Sequence, residues 1–426
     1  MKNILLLLVL VLGLQTANAQ YVTIPDVNFR FFIENFYPGC INASKQLDTT
    51  CSDILSETMV DIRNRNISSI EGIQYFKSLQ IFNCQSNLLT SLVPLPATVQ
   101  NLVCSDNHLT ALPSLPNSLI ELKCDGNAIA TLPSLPSTLQ QLSCAHNLIT
   151  VLPTLPTSLQ SLFCFDNILT SLPALPSGLQ DLNCNNNQLT ILPALPAALQ
   201  NLDCSYNQLS VLPSLPNGLV ELTCRYNQLT ALPALHSALE FLTCNNNQIS
   251  VLPQLPDGLQ ELQGDFNRLT SISSLPNALY LLSTVGNPLE CLPVLPSGLD
   301  YLHVKRTHIK CLPNAISASA DVDTLLSICT DPSDICNFIT IVAGSKKLNF
   351  KLFPNPTSSS IRIELPYNGT GNWYLTDISG NRIKQNGIEN NTDAFDINVA
   401  DVANGTYLLS LEINGNVSTS KVTIVR

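Results

Sequence analysis

Leu139-Gln140-Gln141-Leu142-Ser143-Cys144-Ala145-His146-Asn147-Leu148-Ile149-Thr150-Val151-Leu152-Pro153-Thr154-Leu155-Pro156 is one copy of a phrase that recurs every 20 residues, without a slip, from Leu79 to Leu312. Asn holds one column, at Asn87, Asn107, Asn127, Asn147, Asn167, Asn187, Asn207, Asn227, Asn247, Asn267 and Asn287. Three residues earlier stands Cys, at Cys84, Cys104, Cys124, Cys144, Cys164, Cys184, Cys204, Cys224 and Cys244. A fixed short period means units that cannot bury a core alone and must stack to share one, so the phrase predicts a solenoid. Leu142-Ser143-Cys144 alternates inward and outward as a strand does. Stacked copies then form a parallel sheet, and twelve strands span roughly 55 Å. The return leg, Leu-Pro-x-Leu-Pro, is barred from helix. Each Pro removes a donor and restricts the residue before it to extended or polyproline geometry.

The pattern L-x-x-L-x-C-x-x-N-x-L resembles the leucine-rich repeat, with Cys in place of a core leucine. The resemblance implies an α/β-type leucine-rich repeat solenoid that is here nearly all-β, with a parallel concave sheet and an extended convex side. The Asn amide is expected to bond backbone groups of its own and the neighbouring coil.

Working outward, residues 59–312 form the solenoid, since Val60, Ile62, Ile67 and Ile70 already occupy the core columns of a first, variant repeat. Residues 20–58 read as a cap over its open end: Pro25-Asp26 suits a helix start, and Phe29, Phe32, Ile33 and Phe36 follow at helical spacing. Met1 to Ala19 reads as a secretory signal peptide. It has Lys2 at its start, the apolar run Ile4 to Leu14, and Ala17-Asn18-Ala19 as the cleavage site. The mature chain is then expected from Gln20, with no membrane span after it. Residues 313–345 lose the repeat and read as a C-terminal cap and linker.

The 15 Cys fall into the nine of the column and six others. Cys40 and Cys51 flank a polar loop that a disulfide can staple. Cys291 and Cys311 sit in one column of adjacent coils, within disulfide range; Cys311 with Cys329 or Cys336 is the other pairing. The column itself is expected to be buried, reduced thiol. Zinc needs four ligands converging on a point, whereas these run in a line with no His column beside them. No metal or cofactor is expected.

Residues 346–426 change texture. Ile361-Arg362-Ile363-Glu364-Leu365, Trp373-Tyr374-Leu375 and Tyr407-Leu408-Leu409 alternate between Gly- and Asn-rich turns, which predicts a small β-sandwich. Phe353-Pro354-Asn355-Pro356-Thr357, then Asp377-Ile378-Ser379-Gly380-Asn381, then Asn404-Gly405-Thr406-Tyr407, resemble the type A C-terminal sorting domain of the type IX secretion system. That resemblance implies export across a Gram-negative outer membrane. It makes the secretion machinery a partner, and the product secreted or attached to the cell surface.

Net charge is −11. Such a chain offers no basic surface for nucleic acid or anionic lipid. No Ser-His-Asp, H-E-x-x-H or phosphate-loop pattern occurs, and the five His are scattered, so no enzyme is expected. The repeat is similar to that of secreted effector ubiquitin ligases. Those carry a helical catalytic domain with a nucleophilic Cys, whereas a Cys-free β module follows here. Specificity should lie in the letters that do not repeat. The concave-face candidates are Phe163, Phe165, Asp166, Asp203, Tyr206, Glu221, Arg225, Tyr226, Phe241, Asp265, Phe266, Tyr280 and Tyr301. Aromatics among polar neighbours on a rigid surface are typical anchors for a host or matrix protein or a glycan. A structural cell-surface role without a specific ligand is the other reading.

Overall fold

The computed structural model describes residues 20–314, 319–321, 326–330, 350–355, 357–365, 371–377, 382–388, 394–413 and 416–425. The signal-peptide segment 1–19, Cys336, Pro356 and Gly380 lie outside them. The chain divides into two units, Met1–Ser327 and Ile328–Arg426.

The first unit is built on one 14-stranded sheet. Its strands run in sequence order from Met59–Asp61 to Tyr301–His303, with Ser319–Asp321 added at the end. Each strand pairs in parallel with the equivalent positions of its neighbour, Gln141 with Ser161 and Leu142 with Leu162, for example. Strands are three residues long because alternation lasts only that far. Inside, Leu142 and Cys144 are fully buried, as are their counterparts along the array.

The Asn column closes the turn after the strand. Asn187 Nδ2 donates to three carbonyls, those of Cys184 (3.2 Å), Asn185 (3.1 Å) and, one coil back, Cys164 (3.1 Å). Its Oδ1 accepts from Leu169 N–H of the previous coil at 2.9 Å. The amide therefore satisfies buried backbone that has no partner in a strand or helix. The residue before each ladder Asn takes a left-handed conformation, from Ser86 (φ 55°) to Gly286 (φ 70°), and Arg306 (φ 55°) does the same before Thr307. The convex leg is extended. In the early coils a hydroxyl fastens each leg to the one before, as Ser158 Oγ does to Leu139 O at 2.6 Å and Thr138 Oγ1 to Leu119 O at 2.7 Å.

The cap pairs Tyr21–Thr23 antiparallel with Gln46–Asp48 and carries between them a helix, Val27–Phe36. Asp26 caps that helix by accepting from Asn28 and Phe29 N–H, and its second oxygen accepts from Ser68 N–H and Oγ of the first coil. Burial works against the Asp26 carboxylate, but these hydrogen bonds outweigh it and leave its acidity increased. Phe29, Phe32 and Ile33 are buried, continuous with the array core. Phe36 shares their spacing but is exposed, stacked on Phe32 at 4.7 Å. Cys40 and Cys51 form a disulfide with Cα atoms 5.4 Å apart. Cys291, Cys311 and Cys329 are each disulfide-bonded.

Toward the other end Gly264, Thr284 and Val304 replace Cys, as the sequence shows. Thr307 replaces the ladder Asn and keeps one of its bonds, Oγ1 to Val304 O at 2.8 Å. Asn314 then clasps both the N–H (2.8 Å) and the carbonyl (3.1 Å) of Leu295.

The second unit is a β-sandwich. One sheet holds Lys351–Phe353, Ser360–Glu364 and Ala394–Asn398; the other holds, in order, Arg382–Ile388, Gly371–Asp377, Gly405–Ile413 and Asn416–Ile424. Ile361, Ile363, Trp373, Leu375, Ile397, Leu409 and Leu411 fill its core. Tyr407 Oη donates to Ala403 O at 2.9 Å, and Gly405 lies under that ring, where a Cβ would sit 3.4 Å from it. Asp377 ends the strand opposite Tyr407.

The thiol column yields a pH prediction. Burial pushes Cys104 and Cys244 up to about 12 and raises the other seven thiols above the ordinary 9.0. Between pH 9 and 12 the unfolded chain releases these protons while the folded chain keeps them. Stability must therefore fall as pH rises, by up to about 1.4 kcal/mol per unit per thiol. Urea unfolding of the full chain should show a midpoint that drops steeply from pH 8 to pH 10, and Cys204→Ala should blunt the slope. A flat profile would contradict a buried, reduced column.

Candidate functional site

Along each coil, four positions can meet a partner. The first and third strand residues flank the buried Leu and face out from the concave sheet. The fifth position follows the Cys. The sixth is the left-handed residue before the ladder Asn. Sequence alternation placed all the candidates in one groove; the structure distributes them over bands. Glu221, Phe241 and Tyr301 are first strand residues, and Phe163 and Asp203 are third ones. Phe165, Arg225 and Asp265 lie beyond the strand. Asp166 (φ 51°), Tyr206 (φ 50°), Tyr226 (φ 53°) and Phe266 (φ 51°) occupy the turn, at the rim of the sheet rather than on it. The turn that seats the Asn ends the alternation there. Tyr280 precedes its strand, Leu281–Ser283, and its hydroxyl donates to Glu261.

The rim gathers aromatic rings. Tyr206 and Tyr226 come from adjacent coils and stack with centroids 4.3 Å apart and planes 12° off parallel. The Arg225 guanidinium stands 5.6 Å from the Tyr206 ring centre. Both tyrosines and Phe266 are close to half exposed. Phe266 lies over Gly286, where a Cβ would come within 2.7 Å of its ring. Earlier on the rim, His146 meets Phe165 edge-on at 5.1 Å and places Nδ1 3.2 Å from Asp166 Oδ2. His146 looked like one of several scattered histidines; only the stacking of coils reveals its neighbours.

The middle of the concave face holds a hollow of about 200 Å³ lined by Phe163, Asp181, Asn183, Asn201, Asp203 and Glu221, over a floor of Leu182 and Leu202. Asp181, Asn183 and Asn201 were not singled out in the sequence, where Asn and Asp are too common to stand out. They share the columns of Glu221 and Asp203, which is the signal that marks them. Asp181 is oriented by Asn201 Nδ2 (2.7 Å) and Ser161 Oγ (3.0 Å), and Asp203 by Asn185 Nδ2 (2.9 Å) and Ser205 N–H (3.0 Å). Such carboxylates are held in place before any ligand arrives. Asp265 has a different job. Its Oδ1 accepts from Ser283 Oγ (2.6 Å) and Val285 N–H (2.8 Å), a staple to the next coil that Asp125 repeats with Ser143 and Ala145.

A larger hollow of about 420 Å³ lies on the convex side, lined by Ala234, Leu235, Ser237 and Pro253 to Gly258. Its walls are Pro, Leu and small residues, with Gln254 and Asp257 as the larger polar groups. Among the described residues, the one group of three metal-type ligands is Cys40, Cys51 and Asp53. Its two sulfurs are spent in the disulfide, which leaves no thiolate to bind an ion.

Residues 351–425 match the family described as secretion system C-terminal sorting domain. No curated protein sequence matches the chain. Among solved structures, YopM from Yersinia enterocolitica WA-314 is similar at 29% identity, covering 72% of this chain and 75% of its own, with a TM-score of 0.57. YopM from Yersinia pestis, titled a leucine-rich effector protein, follows at 27% identity over 62% of this chain and 88% of that one, TM-score 0.53. The functional domain of InlJ from Listeria monocytogenes, whose title notes a cysteine ladder, covers 96% of this chain and 99% of its own at 20% identity and TM-score 0.57, and shares the fold. No helix among the described residues is long and apolar enough to cross a membrane. The chain is a leucine-rich repeat protein with a C-terminal type IX sorting domain, exported to the cell exterior or surface.

Proposed function

We propose that this is an adhesin-like binding protein that holds a host or matrix protein or a glycan against its aromatic rim and concave hollow, without catalysing a reaction. The signal peptide 1–19 directs the nascent chain to export, the cap 20–58 and segment 313–345 close the array 59–312, and 346–426 carries it through the outer membrane. The observation that carries the reading is the backbone under the rim aromatics. A left-handed φ suits Gly, Asn or Asp, and costs a bulky residue about 1 kcal/mol or more. Of the twelve such positions from Ser86 to Arg306, six hold residues of that kind: Asp106, Gly126, Asp166, Asn186, Asn246 and Gly286. Beside Ser86, His146 and Arg306, three coils place the aromatics Tyr206, Tyr226 and Phe266 there, half exposed, where they add nothing to the core. Strained residues of this kind persist where the side chain has a use. Stacked tyrosines with a guanidinium beside them offer flat apolar area at low entropic cost together with hydrogen-bonding tips.

The test is capture. The full chain, immobilised, should retain a ligand from panels of extracellular matrix proteins and glycans. The combined changes Tyr206→Ala, Tyr226→Ala and Phe241→Ala should reduce that retention at least about tenfold, the scale of losing interface anchors. The melting transition of the array should stay unchanged. Undiminished retention in the triple variant would sink the rim and the adjoining strand face as the site. If the unaltered chain retains nothing across the panels, the structural cell-surface role takes its place.

A further inference from the structure

In the sorting domain, Asn416–Ile424 is the edge strand of its sheet, paired on one side with Gly405–Ile413. Its other side is met near the chain's end by residues 355 and 357. Asn355 Nδ2 donates to Lys421 O at 2.8 Å, and Thr423 N–H donates to Asn355 Oδ1 at 2.8 Å. Two residues on, Thr357 N–H donates to Thr423 O and Val425 N–H donates to Thr357 O, both at 2.9 Å. Thr357 is buried and is itself fixed by Oγ1 to Ser360 O at 2.6 Å. Backbone and side chain thus alternate along one line of hydrogen bonds.

The chemistry of the stretch explains the alternation. Pro354 and Pro356 have no N–H to give. A carboxamide carries a donor and an acceptor side by side, as a peptide group does. Asn355 therefore presents with its side chain the donor and acceptor that Thr357 presents with its backbone. Asp keeps the acceptor and loses the donor; Ala loses both. Chain ends fray unless tied down, and an unpaired edge is open to wrong partners.

We propose that Asn355 is a positioning residue for export: it holds residues 421–425 in strand form, and that ordered strand is what the secretion machinery reads. The side chain acts through the strand and is not itself contacted by the machinery.

The test uses the full chain in a bacterium that has type IX secretion. Export is followed as the fraction of the chain reaching the exterior, and order by backbone amide exchange of the purified full chain. Asn355→Ala should speed exchange at Thr423 about tenfold, as expected from the loss of its hydrogen bond to Oδ1. Export should fall several-fold with it. Asn355→Asp, which still accepts from Thr423, should be intermediate in both readouts. Exchange at Leu409 and Leu411, in the sandwich core, should not change. Three results would overturn the proposal. Lost export with unchanged exchange means that the side chain is read directly. Faster exchange with intact export means that order at the end is not required. Faster exchange at Leu409 and Leu411 as well makes Asn355 a general support of the fold.

Discussion

A buried carboxamide that satisfies three carbonyls and one N–H is the interaction on which this molecule depends. Each ladder Asn closes its own turn and reaches back to the coil before it, so it joins local conformation to stacking. A 20-residue coil is too small to bury a core alone. Leu and Cys supply the apolar contact between coils, but apolar contact is non-directional and would tolerate a slip. The amide does not tolerate one, because a shift of one residue would leave its partners unpaired in the interior. The identical register along the parallel sheet follows.

Other features follow from that clamp. Holding the turn fixes a left-handed residue in front of every Asn, which pushes that side chain out at the rim. The rim is where Tyr206 and Tyr226 stack, spaced by the rise of the coils rather than by any contact of their own. The Cys column lies in the same rows, three residues before the amide. Its thiols face a dry core, and burial keeps them neutral far above the ordinary range. They fill volume; a larger side chain would press on the next coil. The sorting domain uses a related device at Asn355, where a side-chain amide again stands in for a missing backbone partner.

Much of this was legible in the sequence. The Asn column, the extended Leu-Pro legs, the Asp26 helix start and the Cys40–Cys51 staple depend on residues a few positions apart or on strict period, and both can be read along the chain. The sorting landmarks could be read too. What could not be read was position across coils. Alternation counted Asp166, Tyr206, Tyr226 and Phe266 onto the concave sheet, and the turn carries them to the rim. Asp265 looked available for a ligand and is consumed by Ser283 and Val285 of the following coil. His146 looked isolated and has Phe165 and Asp166 beside it. Asp181 was hidden among many similar letters. For Asp265, His146 and Asp181 the deciding neighbour is about 20 residues away, and no local pattern names it. Phe36 failed differently: its spacing fits the buried stripe, but the stripe is narrower than the spacing allows, and the ring rests outside on Phe32.

Unfolding of the full chain with Asn187→Ala tests the central claim most directly, with the exposed neighbour substitution Gln188→Ala as control. Stripped of the amide, Leu169 N–H loses its partner and the carbonyls of Cys164, Cys184 and Asn185 each lose one of two donors, so the urea transition of the array should lose about 2 kcal/mol while the control loses less than about 0.5 kcal/mol. A loss below about 1 kcal/mol for Asn187→Ala would mean that packing of Leu and Cys alone sets the stack, and that the ladder is not what holds the coils in register.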